Sequence, residues 1–183
     1  KQIIDNYNYT DNDTDNDTVT VTVGYDSTNY IYTYIATLTN STVLYFKSEY
    51  DYGYGSGTTF IGASTNDTSI VVPCYIQLSD GDVKTVNGCG SDHYSDHYSG
   101  LDFSNAPNVK SLTLPSTITT INRATYLPQS IKELHLNSKP SLDNSGGSNL
   151  SSFERVYVPA NLLNQFYSDA DWHRSVLILA EGT

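Results

Sequence analysis

A single short phrase occurs three times in the second half of this chain. Val109-Lys110-Ser111-Leu112-Thr113-Leu114 returns as Ile131-Lys132-Glu133-Leu134-His135-Leu136 and again as Phe153-Glu154-Arg155-Val156-Tyr157-Val158, the step from Val109 to Ile131 equalling that from Ile131 to Phe153. The first, fourth and sixth positions are apolar in every copy. A phrase this short offers one strand and cannot bury its own apolar side, so the copies must stack on one another. The spacing therefore predicts Leu112, Leu134 and Val156 as buried neighbours on adjacent parallel strands, with Leu114, Leu136 and Val158 beside them. The intervening positions must then face outward in two rows: Ser111, Glu133 and Arg155, and Thr113, His135 and Tyr157.

The flanking residues fit coils of this kind. Pro follows Leu114, Val158 and, one coil earlier, Val72, at points where a missing N–H ends a ladder. Ile118-Thr119-Thr120-Ile121-Asn122 echoes Val83-Lys84-Thr85-Val86-Asn87 and is expected on the next side of the coil. Near the end, Asn161 reads as an N-cap, and Leu162, Leu163, Phe166 and Tyr167 share one helical face. That helix, with Trp172, is expected to cover the last repeat.

The first half follows a different rhythm. Val19, Val21 and Val23 alternate with Thr18, Thr20 and Thr22; Tyr30–Ile35 and Val43–Phe46 follow, with Asn40-Ser41 between them. Alternation broken by polar residues means antiparallel strands joined by short turns. The tract Gly53-Tyr54-Gly55-Ser56-Gly57 marks a loop. Strands resume near Thr58–Ala63 and Ile70–Leu78, and Ser79-Asp80-Gly81-Asp82 suits a hairpin turn.

Composition narrows the partners. Charged residues are 16% of the chain, against about 25% in ordinary domains, so Asn, Thr, Ser and Tyr supply the polar surface. The net charge of −11 opposes nucleic acid and anionic lipid, both of which are bound through Lys and Arg. No run approaches the roughly 18 apolar residues of a membrane span, so no membrane insertion is expected. The chain has no Met, and it is expected to begin after a removed leader. The two cysteines, Cys74 and Cys89, form either one disulfide or two small buried thiols, and spacing leaves both open.

Ser116-Thr117-Ile118-Thr119-Thr120-Ile121, Phe103-Ser104-Asn105 and the ending Val156-Tyr157-Val158-Pro159-Ala160, with Tyr167 beyond it, resemble the BspA-type leucine-rich repeats of bacterial and protozoal surface and secreted proteins. The likeness covers about residues 70–183. The second repeat departs from it, with Asn137 in place of Pro and no Ala-Phe, and residues 91–100 look inserted. The resemblance implies adhesion or host-protein binding outside the cell and supplies no catalytic residue.

Other motifs lose to simpler readings. The run Asp11–Asp17 alternates Asp as a calcium loop does, but that loop needs Gly at its sixth position and Glu at its twelfth. Counted from Asp11 those positions hold Asn16 and Thr22, so residues 1–17 read as an acidic tether. Ser91-Asp92-His93-Tyr94 is repeated at once as Ser95-Asp96-His97-Tyr98. His93 and His97, four apart, could share a zinc ion on a helix, yet Gly90 and Gly100 bracket the segment, and an exposed duplicated loop explains it. No nucleophile elbow, phosphate loop or dinucleotide fingerprint occurs, so no enzyme and no cofactor are expected. Sequons stand at Asn8, Asn12, Asn16, Asn40, Asn66 and Asn149, as chance provides in so Asn-rich a chain.

The expected fold is thus mostly β: a tether (1–17), an antiparallel β unit (18–69), and a short leucine-rich-repeat solenoid with a C-terminal capping helix (70–183). The expected function is a non-catalytic module, extracellular or on the cell surface, that binds a host or matrix protein through Ser111, Thr113, Glu133, His135, Arg155 and Tyr157. The alternative is a carbohydrate-binding surface protein, with Tyr45, Tyr50, Tyr52 and Tyr54 stacking on sugars. A third reading is a spacer that lifts another domain off the wall.

Overall fold

The computed structural model describes residues 19–26, 31–48, 57–90, 100–122, 127–143, 153–173 and 176–182. They are mostly β, with few helices and, among these residues, no closed barrel. Four strands open the chain: β1 (Val19–Asp26), β2 (Ile31–Leu38), β3 (Val43–Ser48) and β4 (Gly57–Ser64), each antiparallel to the next. The period-two pattern does what it predicts in β2 and β3, where Tyr34, Ala36, Leu38, Leu44 and Phe46 turn inward and are buried. Phe46 meets Phe60 of β4 with ring centroids 5.7 Å apart. The β2–β3 turn is set by Asn40, whose Oδ1 accepts the Thr42 N–H at 3.0 Å while Ser41 takes φ 67°.

β4 then changes the pattern. One side is antiparallel to β3, while the other lies parallel to β7 (Val83–Cys89) and β8 (Asp102–Asn105). Gly62 permits the approach of β8, because a Cβ there would stand 2.5 Å from the Asp102 carbonyl oxygen. β5 (Ser69–Val71) and β6 (Tyr75–Gln77) occupy the expected single strand Ile70–Leu78 and join different sheets. Pro73 lies between them and has no N–H to continue a ladder. The turn Ser79–Asp82 joins β6 to β7 as a hairpin, with Leu78 N–H donating to Asp82 O at 2.8 Å.

The repeats build a five-stranded sheet. It contains β9 (Ser111–Leu114), β11 (Glu133–Leu136), β13 (Arg155–Val158) and β14 (Leu177–Ala180), in the order β14-β13-β11-β9-β5, all parallel. Leu134 lies between Leu112 and Val156 in register, and all three are fully buried. Burying a Leu or Val stabilises by about 1.5–3 kcal/mol, so the column supplies much of the drive for stacking. Backbone bonds repeat with the sequence: Lys110 O accepts from Lys132 and Glu133, and Lys132 O from Glu154 and Arg155. β14 adds a strand beyond the last of the three copies. Leu177 pairs with Arg155 just as Arg155 pairs with Glu133, so the ladder gains a further rung at the same step, with Ile178 buried beneath it.

In the other sheet, β10 (Thr120–Asn122) and β12 (Ser141–Asp143) continue from β7. The larger sheet has nine strands in the order β1-β2-β3-β4-β7-β10-β12, with β6 added on β7 and β8 on β4. It therefore passes across residue 70 without a break. Here the register differs from the sequence echo. Ile121 faces Cys89 rather than Val86, because the buried positions of β7 include Val86 and Cys89 while Val83 stays half-buried. Hydroxyls stitch neighbouring strands: Thr119 Oγ1 donates to Asn87 O at 3.1 Å and Ser141 Oγ to Thr119 O at 3.3 Å. Asn137, where the first and third copies carry Pro115 and Pro159, donates Nδ2 to Leu114 O at 3.1 Å. Gly90 holds φ 94° with its α-carbon so near Asn122 O that a Cβ would come within 2.4 Å. Both cysteines are buried thiols, not a disulfide, and burial pushes the Cys89 thiol up to about 12.

The segment between β13 and β14 holds a 3-10 turn (Ala160–Leu162), α1 (Leu163–Tyr167) and α2 (Ala170–His173). Asn161 is not an N-cap: it lies inside the 3-10 turn, and neither that turn nor α1 starts with a side-chain cap bond. Of the four residues expected on one helical face, Phe166 is buried, Leu162 and Leu163 pack half-buried against the core, and Tyr167 is 49% exposed. So short a helix turns only one side chain fully inward. Trp172 is buried edge-on to Phe166 at 5.0 Å and donates Nε1 to Pro140 O at 3.1 Å. Lys139 pairs with Asp169 at 2.6 Å. The helical segment is thereby fixed beside residues 139–140, just before β12.

Candidate functional site

The outward residues of the five-stranded ladder make two rows, with neighbouring strands about 4.8 Å apart. One row is Ser69, Ser111, Glu133, Arg155 and Leu177; the other is Val71, Thr113, His135, Tyr157 and Leu179. The alternation is dictated locally, since Leu and Val at the intervening positions turn inward. The six residues expected to share a face are thus brought together on three adjacent strands. Leu177, Leu179 and the neighbouring Glu181 were missed. The signal for the two leucines was present, one further repeat step beyond Arg155 and Tyr157, but the phrase Leu177-Ile178-Leu179-Ala180 has lost its alternation.

The charged side chains form a connected group. His135 Nδ1 lies 3.0 and 3.1 Å from the two carboxylate oxygens of Glu181, and its Nε2 lies 3.6 Å from Glu133 Oε2. Arg155 Nη1 is 4.0 Å from Glu133 Oε1. A hydrogen bond with Tyr157, with the carboxylates of Glu133 and Glu154 nearby, holds the Arg155 guanidinium above its usual range. One expectation needs correcting. Tyr157 is only 9% exposed, because the His135 ring stacks on it at 4.7 Å with an interplanar angle of 15° and Leu179 is its register neighbour on the other side. The face therefore offers the edge of a packed aromatic pair, with Arg155 and Leu177 standing clear beside it. Leu177 is 54% exposed.

No known protein family matches the chain, and no curated protein matches it. Among solved structures, the chain is similar to a leucine rich cell surface protein from Faecalibacterium prausnitzii A2-165, at 17% identity and a TM-score of 0.38. The match covers 86% of this chain and 32% of that one, so the chain spans about a third of that protein's length.

The remaining sequence candidates fall differently. The Asp11–Asp17 run, the His93 and His97 loop, Tyr50, Tyr52 and Tyr54, and the sequons at Asn8, Asn12, Asn16 and Asn149 lie outside the described residues. Tyr45 is half-buried on β3. Asn40 and Asn66 are exposed, and the Asn40 amide donates to Asp67 at 3.2 Å. Among the described residues no three His, Cys, Asp or Glu side chains gather as a metal site, and no helix is long and apolar enough to cross a membrane.

Proposed function

We propose that this chain is a non-catalytic surface or secreted module, a short leucine-rich-repeat solenoid whose outer ladder face binds an extracellular host or matrix protein. The observation that carries the reading is the five-stranded parallel ladder, in which β9, β11, β13 and β14 advance by equal steps along the sequence. It makes a rigid, continuous face rather than a cleft. Arg155 and Leu177 stand side by side on it, beside a fixed His135–Tyr157 pair, and Arg and Tyr are residues in which interface energy concentrates. In this reading the antiparallel strands close one end of the stack. The helical segment closes the other, with Trp172 and Lys139–Asp169 pinning it beside β12 and the Tyr167 hydroxyl covering Ile178 O of the last strand at 2.7 Å. Covered edges of this kind protect a ladder from unwanted strand pairing.

The test is a binding screen of the immobilised chain against purified matrix proteins and a glycan array, run beside Arg155→Ala and Leu177→Ala. Binding to a matrix protein that falls at least tenfold in either variant supports the reading. Binding to glycans alone would move the function to the carbohydrate class, and undiminished binding in both variants would move the site off this face.

A further inference from the structure

β1 is an outer strand of the nine-stranded sheet, and among the described residues it pairs with β2 alone, in unbroken register. Edge strands are ordinarily guarded by Lys, Pro or a bulge, or covered by another element. β1 reads Val19-Thr20-Val21-Thr22-Val23-Gly24-Tyr25-Asp26, with neither Lys nor Pro and no charge before Asp26. The turn after β2 shows which of its backbone groups lie on the open side. Leu38 N–H donates to Thr42 O, so Leu38 and, by alternation, Ala36 and Tyr34 direct their backbone groups to β3. The register partners of Ala36 and Tyr34 are Val21 and Val23, whose N–H and C=O therefore point away from β2, to the open edge. The Val23 side chain is 49% exposed there, although its register partner Tyr34 is buried.

We propose that the β1 edge docks a second copy of this chain, whose own β1 runs antiparallel to the first and joins the two larger sheets into one. The strand's sequence identifies the occupant. Val19-Thr20-Val21-Thr22-Val23 reads the same in both directions. A two-fold axis beside Val21 sets that residue against its own copy, Val23 against the partner's Val19, and Thr22 against the partner's Thr20. A closed two-fold interface needs one patch complementary to itself, and this order of residues supplies it. The register also uses the right groups, because Val21 and Val23 are the residues whose backbone faces the edge. β-Branched and Thr–Thr pairs are favourable across strands, and the partner's Val19 comes to lie beside the exposed Val23. No charged residue falls within the paired stretch. The net charge of −11 repels two copies at a distance, but salt at physiological strength screens it beyond about 8 Å. One strand pair is a small interface, of the weak and transient class. The pairing leaves the outer ladder face free and stands apart from the function proposed above.

The experiment is sedimentation equilibrium of the whole chain at about 0.15 M salt, from about 10 µM to about 1 mM protein, with amide hydrogen exchange by NMR at both ends of the range. The apparent mass should rise from 20.2 kDa toward twice that value. The Val21 and Val23 amides should exchange about fivefold more slowly at the high end, where little monomer remains. V23P removes an N–H from the open edge and none from the pairing with β2, a position where an edge strand accepts Pro. V23K places on the edge the charge that ordinarily guards one. Both variants should keep the circular dichroism of the unmodified chain and stay near 20.2 kDa throughout. A mass that does not rise in the unmodified chain, a dimer in which the Val21 and Val23 amides gain no protection, or undiminished association of folded V23P or V23K overturns the proposal.

Discussion

Leu134→Ala tests the stacking most directly. The side chain is fully buried, with Leu112 on one side, Val156 on the other and Leu136 two positions on, all buried themselves. Leu-to-Ala changes in cores cost about 2–5 kcal/mol, the upper half applying where the walls cannot collapse. Here the neighbours are held by ladder bonds on both sides, so about 4 kcal/mol is expected. For a chain of this size that lowers the melting temperature by roughly 8–16 °C. Urea unfolding provides the measurement, because the single tryptophan, Trp172, is buried in the helical segment and its emission can be compared with far-ultraviolet circular dichroism. The midpoint should fall while the slope with denaturant stays nearly constant. A loss below about 1 kcal/mol, approaching the range of surface substitutions, would mean that Leu134 is not enclosed by its neighbouring strands.

Other substitutions separate core from surface. Tyr157→Ala should cost about 2–4 kcal/mol, since the ring is packed, whereas Arg155→Ala should leave the urea midpoint unchanged; equal effects would contradict the different burial of the two. Gly62→Ala drives a Cβ toward the Asp102 carbonyl and should destabilise by about 1–3 kcal/mol, read from the same unfolding curves. In thiol titration at pH 8, Cys89 should be silent in the folded protein because burial pushes its thiol up to about 12. Both thiols should react once the unreduced chain is unfolded, and a shortfall would mean a disulfide.

What the sequence disclosed depended on how locally each feature is determined. The ladder was legible because three copies keep apolar residues at fixed spacing, and period two marked β2 and β3 equally well. The last rung was hidden, since Leu177 and Leu179 are apolar on the outward side and blur the alternation. Burial of Tyr157 was also hidden, because it depends on His135 and Leu179 from the two neighbouring strands and on nothing in its own phrase. The pairing of β4 with β7 and β8 joins distant segments through backbone bonds, which leave no side-chain signature except Gly62. The register of β10 on β7 misled for a related reason: Val83 and Val86 mimic the spacing of Ile118 and Ile121, while the buried partner is a cysteine.

The constant step of the ladder gives the molecule a unit of growth. Removing residues 111–132 would bring Leu134 onto Ile70 and Leu136 onto Val72, one apolar rung replacing another. The contacts of Trp172 with Pro140 and of Lys139 with Asp169 lie beyond the cut. On the opposite side Ser141 would succeed Thr120 beside Gly88. The step there, from Thr120 to Ser141, is shorter by one than the step from Ser111 to Glu133, so the connecting loop must take up the difference. Removing or adding this step keeps the apolar positions of the ladder inward. Relatives of this chain should therefore differ in length by whole repeats, each lengthening the outer face by about 4.8 Å without redesigning either end.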